Sequence, residues 1–189
     1  MTLSITGDAD ADALLSSNPF ALLLGMLLDQ QIAMETAFAG PAKILERTGT
    51  LEPAALAGYD PDEFVEVFRQ TPAVHRYPGS MAGRVQALAT AIVDEWEGDT
   101  TLLWTQSDPD GAEILRRLKA LPGFGEQKAK IFLALLGKQL GVEAEGWRAA
   151  AGTYGDEGSY RSVADIVDPE SLAKVRENKK AAKAAAKKS

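Results

Sequence analysis

Leu121-Pro122-Gly123-Phe124-Gly125 joins two stretches of helical pattern, with glycine at alternate positions and the second helix starting at Glu126. Glycine tolerates positive φ and has no Cβ to hold a ligand at a distance. The unpaired N–H groups and the dipole at a helix N-terminus favour an anion. From Glu113 to Lys138 the chain carries six basic residues, Arg116, Arg117, Lys119, Lys128, Lys130 and Lys138, against two acids. Such a turn in a basic window suits a phosphate group, with Leu121 and Phe124 plugged between the helices and Gly123 and Gly125 turned outward. An ordinary αα-hairpin with a glycine turn is the plainer account of the same residues.

The other residue types that carry chemistry are scarce. The 189 residues include no cysteine and one histidine, His75. Disulfides, iron–sulfur clusters, thiolate zinc sites and cysteine nucleophiles are excluded. A catalytic triad or a His-based metal cluster is disfavoured, so no metal is expected in the chemistry.

Charge narrows the reading further. The chain has 20 basic and 27 acidic residues, net −7. From Lys174 to the end there are seven basic residues and one acid, which leaves 13 basic against 26 acidic before it. A body of net −13 does not attract nucleic acid in bulk, so any such binding falls to a local patch or to the tail. The apolar run Phe20–Leu28 is too short to span a bilayer, and no basic leader precedes it. A soluble cytoplasmic protein that does not engage membranes is expected, nucleoid-associated if it binds DNA, and a monomer.

The elements that must hold the turn are helical throughout. Asn18-Pro19 is a cap followed by proline at the first helical position, opening a helix to about Met34. Further helices are expected from Glu35 to Arg47, from Glu52 to Ala57, from Asp60 to Gln70 and from Met81 to Glu97. Ser107-Asp108-Pro109 is expected to open the helix before the hairpin, and Glu126 to about Leu140 to form the one after it. Asp168-Pro169 starts a last helix. Lys179 onward is almost entirely Ala and Lys, with no apolar face, and is expected to fray.

These segments resemble the HhH-GPD superfamily of DNA glycosylases, the endonuclease III, MutY and AlkA type. The hairpin Leu115–Ile131 carries most of the resemblance. Leu24–Ala33, with Gln30 and Gln31, is similar to the family's early helix, where a Gln-Gln pair approaches the lesion. Tyr77–Ala89 is similar to the segment leading toward the hairpin. The resemblance runs from about Asn18 to Arg148 and implies a two-lobed, all-α fold with a cleft. Residues 51–140, containing the hairpin 113–138, would form the middle lobe of a domain covering 1–173, and 174–189 a flexible basic tail.

The resemblance implies roles residue by residue. Pro122, Gly123, Phe124, Gly125, Gln127, Lys128 and Lys130 would contact DNA. Gln30 and Gln31 would read an extruded base or fill the duplex gap it leaves, and His75 and Tyr77 would line the base pocket. A polar helix end and a surface loop are the plainer accounts of these four. A monovalent cation is implied between hairpin carbonyls and a phosphate. The lysine that attacks the sugar in bifunctional members falls on Gln127, and Lys128, about 100° further round the helix, is expected to point elsewhere. The family's aspartate falls in Val142-Glu143-Ala144-Glu145-Gly146-Trp147-Arg148, which has none. Spacing from the lysine position selects Glu145, and alignment on Arg148 selects Glu143. Cleavage of an N-glycosidic bond needs such an anion beside the cationic sugar, although two acids at a helix start also serve as dipole partners.

The expected function is base excision on damaged double-stranded DNA by a monofunctional glycosylase that hydrolyses the N-glycosidic bond of a flipped base. Two alternatives stay open on the sequence: a non-catalytic lesion-binding protein that kept the hairpin, and a helical protein-interaction module.

Overall fold

Side-chain caps start five of the eleven α-helices among the described residues, at Asn18, Asp60 and Asp168 as the sequence pattern predicts. A computed structural model describes residues 2–188, and no strand occurs among them. Helices α1 (Ala9–Ser17), α2 (Pro19–Leu28) and α3 (Met34–Thr48) come first, then α4 (Pro53–Ala57), α5 (Pro61–Arg69) and α6 (Pro78–Trp96). They are followed by α7 (Leu102–Thr105), α8 (Gly111–Lys119), α9 (Glu126–Gln139), α10 (Trp147–Ala151) and α11 (Pro169–Lys187). Two 3-10 turns, Gly152–Gly155 and Val163–Asp165, lie between α10 and α11. Asn18 Oδ1 accepts from the amides of Phe20 and Ala21, Asp60 caps α5, Asp110 caps α8 and Asp168 caps α11.

Two apolar helices sit at the centre. Every residue of α2 from Phe20 to Leu28 is buried, as is α9 from Ile131 to Gly137. α2 packs on α1 and α3, and α4 and α5 pack on α6. α9 packs on α8, α10 and the turn at Val163–Asp165, so the hairpin lies against C-terminal elements. One apolar core runs through all of these groups, with Phe38, Phe64, Phe68 and Phe132 its largest fully buried side chains. No single helix among the described residues is long and apolar enough to cross a membrane.

Three boundaries depart from the sequence reading. α2 stops at Leu28 rather than near Met34, because its last carbonyls are taken by side chains from other elements. α8 starts at Gly111, since Ser107 and Asp108 both adopt positive φ and interrupt the chain before it. The Ala/Lys segment continues α11 to Lys187 instead of fraying. Its own helix propensity is joined by ion pairs that anchor the preceding turns, Arg176 with Glu35 and Lys179 with Asp29.

Candidate active site

The turn after α2 is held from three sides. Lys128 Nζ, from the first turn of α9, donates to Met26 O at 2.7 Å and Leu27 O at 2.8 Å. These are carbonyls that a helix end leaves without intrahelical partners. Leu28 O and Gln30 O lie 3.2 and 3.0 Å from His75 Nε2. Nδ1 of the same ring accepts from the Tyr77 amide at 3.0 Å. Two carbonyl acceptors on one nitrogen and an N–H donor on the other define a neutral imidazole protonated at Nε2. Burial lowers the His75 pKa, in keeping with that form. Gln30 Nε2 donates to Leu27 O at 3.0 Å, and Gln30 Oε1 accepts from Arg84 Nη1 at 2.8 Å.

So fixed, the chain turns out of the helix and Gln31 adopts φ +60°. A non-glycine residue in the left-handed region is uncommon, and such strain persists where the surroundings over-determine it. Gln31 is exposed at the mouth of a cleft of about 890 Å³. The N-terminus of α9 supplies a second wall, through Gln127 and Lys128. Gln127 Nε2 donates to Tyr154 Oη at 3.0 Å. The loop carrying Tyr154 and Tyr160 forms the third wall and α11 the fourth, through Lys179 and Lys183. Asp165 pins that loop: its carboxylate pairs with Lys138 at 2.6 Å and accepts from Ser159 Oγ and the Arg161 amide.

The hairpin has the form the sequence predicts, but its charges do not. Leu121 and Phe124 are buried, and Phe124 meets Phe132 edge-on. The Phe124 side chain is thus a plug between the helices, which leaves only its backbone to face a ligand. Gly123 has φ +82° and sits against Leu27 of α2. Gly125 is the α9 N-cap, with nothing within 4 Å of the position its Cβ would take. Of the six basic residues, Arg117 is buried, stacked over the Trp96 ring and bonded to the carbonyls of Leu102, Leu103 and Gln106. Lys138 is spent on Asp165, Arg116 pairs with Glu113, and Lys130 lies 3.4 Å from Glu126. α11 brings Lys179 and Lys183 to the cleft, within a row of exposed basic residues, Arg176, Lys179, Lys180, Lys183 and Lys187, that recur at helical spacing.

Several expected site residues lie elsewhere. His75 is 2% exposed and supports the turn from behind, while Tyr77, 43% exposed, is not among the cleft residues. Glu143 borders a different hollow of about 440 Å³, beside Lys138 and Arg148. Glu145 is exposed, its carbonyl accepting from the Gly111 amide at 2.8 Å. Neither glutamate lines the cleft. The reason is the length of α9. The Trp147 ring packs on Gly137, ten residues and about 15 Å along the helix from Gln127, and docks the intervening segment at the far end. Lys128, expected to point away, does face the cleft, with its amine turned down onto α2.

Sequence reasoning missed Asp29. It stands between the last residue of α2 and the Gln-Gln pair, and among the described residues it is the only acid lining the cleft. The available signal was a carboxylate directly after nine apolar or glycine residues, where burial is hard to avoid. Its pKa is raised, first by burial and then by Glu35, with Lys179 and Lys128 opposing.

The fold is that of an all-α helix-hairpin-helix protein, with the N-terminus of the second hairpin helix at the cleft. A family profile described as HhH-GPD superfamily base excision DNA repair protein matches residues 24–186, from α2 to the last turn of α11. The chain belongs to the HhH-GPD superfamily of base excision DNA repair proteins. Its function is accordingly DNA repair of the glycosylase type, with DNA as its partner. No curated protein and no solved structure matches the chain.

Proposed function

We propose that the chain is a monofunctional DNA glycosylase acting on double-stranded DNA. A damaged base turns out of the stack into the cleft, and its N-glycosidic bond is hydrolysed. The observation that carries this reading is the convergence of the α9 N-terminus and the Gln31 turn on one hollow of about 890 Å³. Such a volume suits a small-molecule group the size of a nucleotide. The exposure and positive φ of Gln31 support a role in filling the space that the extruded base leaves in the duplex.

Two features support hydrolysis without strand cleavage. Gln127, at the position matching the lyase lysine, has an amide and no nucleophilic amine. Lys128 Nζ is held by two carbonyls at 2.7 and 2.8 Å, so two of its three hydrogen-bonding directions point into α2. At the hairpin, Leu121 O is taken by the Phe124 amide at 3.1 Å. The carbonyls of Pro122, Gly123 and Phe124 are the hard oxygen donors that a monovalent cation would use there.

The test is a panel of duplex oligonucleotides carrying uracil, 8-oxoguanine, alkylated purines and mismatches, with abasic sites revealed by alkali. At least one duplex should yield abasic sites, and borohydride should trap no protein–DNA adduct on it. Binding across the panel with no base release would make this a lesion-binding protein. A trapped adduct that vanishes in Lys128→Met would make it a lyase.

A further inference from the structure

We propose that Asp29 is the carboxylate that faces the sugar of the extruded nucleotide, the task that the family pattern assigns to the segment after the hairpin. The inference rests on the glycosylase reading above. Three observations carry it. First, Asp29 is the only acid among the described residues lining the cleft, whereas Glu143 and Glu145 stand outside it. Second, the residue is fixed: its amide donates to Gly25 O at 3.1 Å and Met26 O at 3.3 Å. The turn it begins is bound by Lys128, His75 and Arg84. Third, its side chain is 13% exposed and its ion pair with Lys179 is long, 3.7 Å. The carboxylate is therefore largely shielded from water without being locked into a close, bidentate pair.

The charged groups facing it are Lys128 from α9, Lys179 from α11 and Glu35 from α3. The two lysines favour its ionised form against burial and Glu35, and burial strengthens its field on a cation formed beside it. In the step proposed, the C1′–N bond breaks and its electron pair leaves with the base, giving an oxocarbenium ion that the Asp29 carboxylate stabilises. A water oxygen then bonds to C1′. The proton released by that water passes to the carboxylate and on to the departing base nitrogen. The products are the free base and an abasic sugar, and Asp29 returns to its starting state.

The experiment is single-turnover base release from the duplex that the parent excises, compared in Asp29→Asn, Asp29→Glu, Lys179→Ala, Glu143→Gln and Glu145→Gln. Asp29→Asn should lose about 10²-fold or more in rate while binding the duplex at least as tightly, because an anion near the phosphates has gone. Asp29→Glu should recover part of the rate, and both glutamate variants should act as the parent does. The parent's rate should rise with pH through an ionisation above the ordinary aspartate value, a limb measurable without any variant. A rate independent of acid pH, or an Asp29→Asn variant within a few-fold of the parent, overturns the assignment alone. So does a Lys179→Ala loss equal to that of Asp29→Asn, which would mean that Asp29 only anchors α11. A parent inert on every duplex overturns the glycosylase reading and this assignment with it.

Discussion

Replacing the two hairpin glycines separates what the turn needs to fold from what it offers to DNA. Gly123 has φ +82°, and a Cβ there would stand 2.5 Å from Leu27 Cδ1. Holding a residue with a Cβ in the left-handed region costs roughly 1–2 kcal/mol. Crowding a packed core adds about 1–3 kcal/mol, toward the low end where the neighbour is the tip of a leucine. Gly123→Ala should therefore lose about 2–4 kcal/mol, and the melting temperature should fall by about 4–16 °C in a chain of this size. Gly125 has φ −86° and open space around its Cβ position. Gly125→Val costs only the poorer cap, about 1 kcal/mol. Its branched side chain, however, stands over the first-turn amides of α9, where a phosphate would sit. Losing one or two charge-assisted hydrogen bonds, about 1.5–3 kcal/mol each, raises Kd more than tenfold. Urea denaturation and fluorescence anisotropy on a labelled duplex give both quantities. A folded Gly125→Val that binds as the parent does refutes the hairpin as the phosphate contact. A Gly123→Ala as stable as the parent refutes the steric reasoning.

Two further outcomes follow from the charges around the cleft. Burial lowers the Lys128 pKa to about 8 from the ordinary 10.5, so between these values the unfolded chain binds the proton and the folded chain does not. Stability should rise with pH across that window, by at most about 3 kcal/mol and less to the extent that solvent screens the amine. Lys128→Met should not share the rise in urea denaturation at pH 7 to 10, and parallel curves for the two proteins would contradict the burial argument. On α11, the double substitution Lys183→Gln/Lys187→Gln should reduce the slope of log affinity against log salt by about two with the helix content kept. An unchanged slope would remove α11 from the DNA surface.

What the sequence made legible was local. The hairpin could be read because its signature lies in five consecutive residues, and the caps at Asn18, Asp60 and Asp168 act on amides two or three positions away. The end of α2 could not, because Lys128 and His75 reach it from 101 and 47 residues away. No periodicity in the helix announces that its final carbonyls will be taken. Counting charge failed for a related reason. Arg117 and Lys138 are basic in composition but spent inside the fold, one on carbonyls beneath Trp96 and the other on Asp165. The tail was expected to fray, yet Lys179 and Lys183 line the cleft.

The position of Glu143 and Glu145 outside the cleft has the same origin. Alignment measures distance along the chain, and it put the carboxylate after the hairpin. α9 is a rigid rod of 14 residues, about 21 Å long, with the cleft at its first turn. The packing of Trp147 against Gly111 and Gly137 docks the residues directly after its last turn at the far end, and the chain returns to the cleft only from Thr153 onward. Glycines at both contacts let the backbone and ring close to a distance that any Cβ would forbid. Asp29 needs no such return, since α2 ends where α9 begins and Lys128 ties the two together. The loop that returns lines the cleft with Thr153, Tyr154, Ser159, Tyr160 and Arg161 but with no acid, so the carboxylate there comes from the element that touches the hairpin turn.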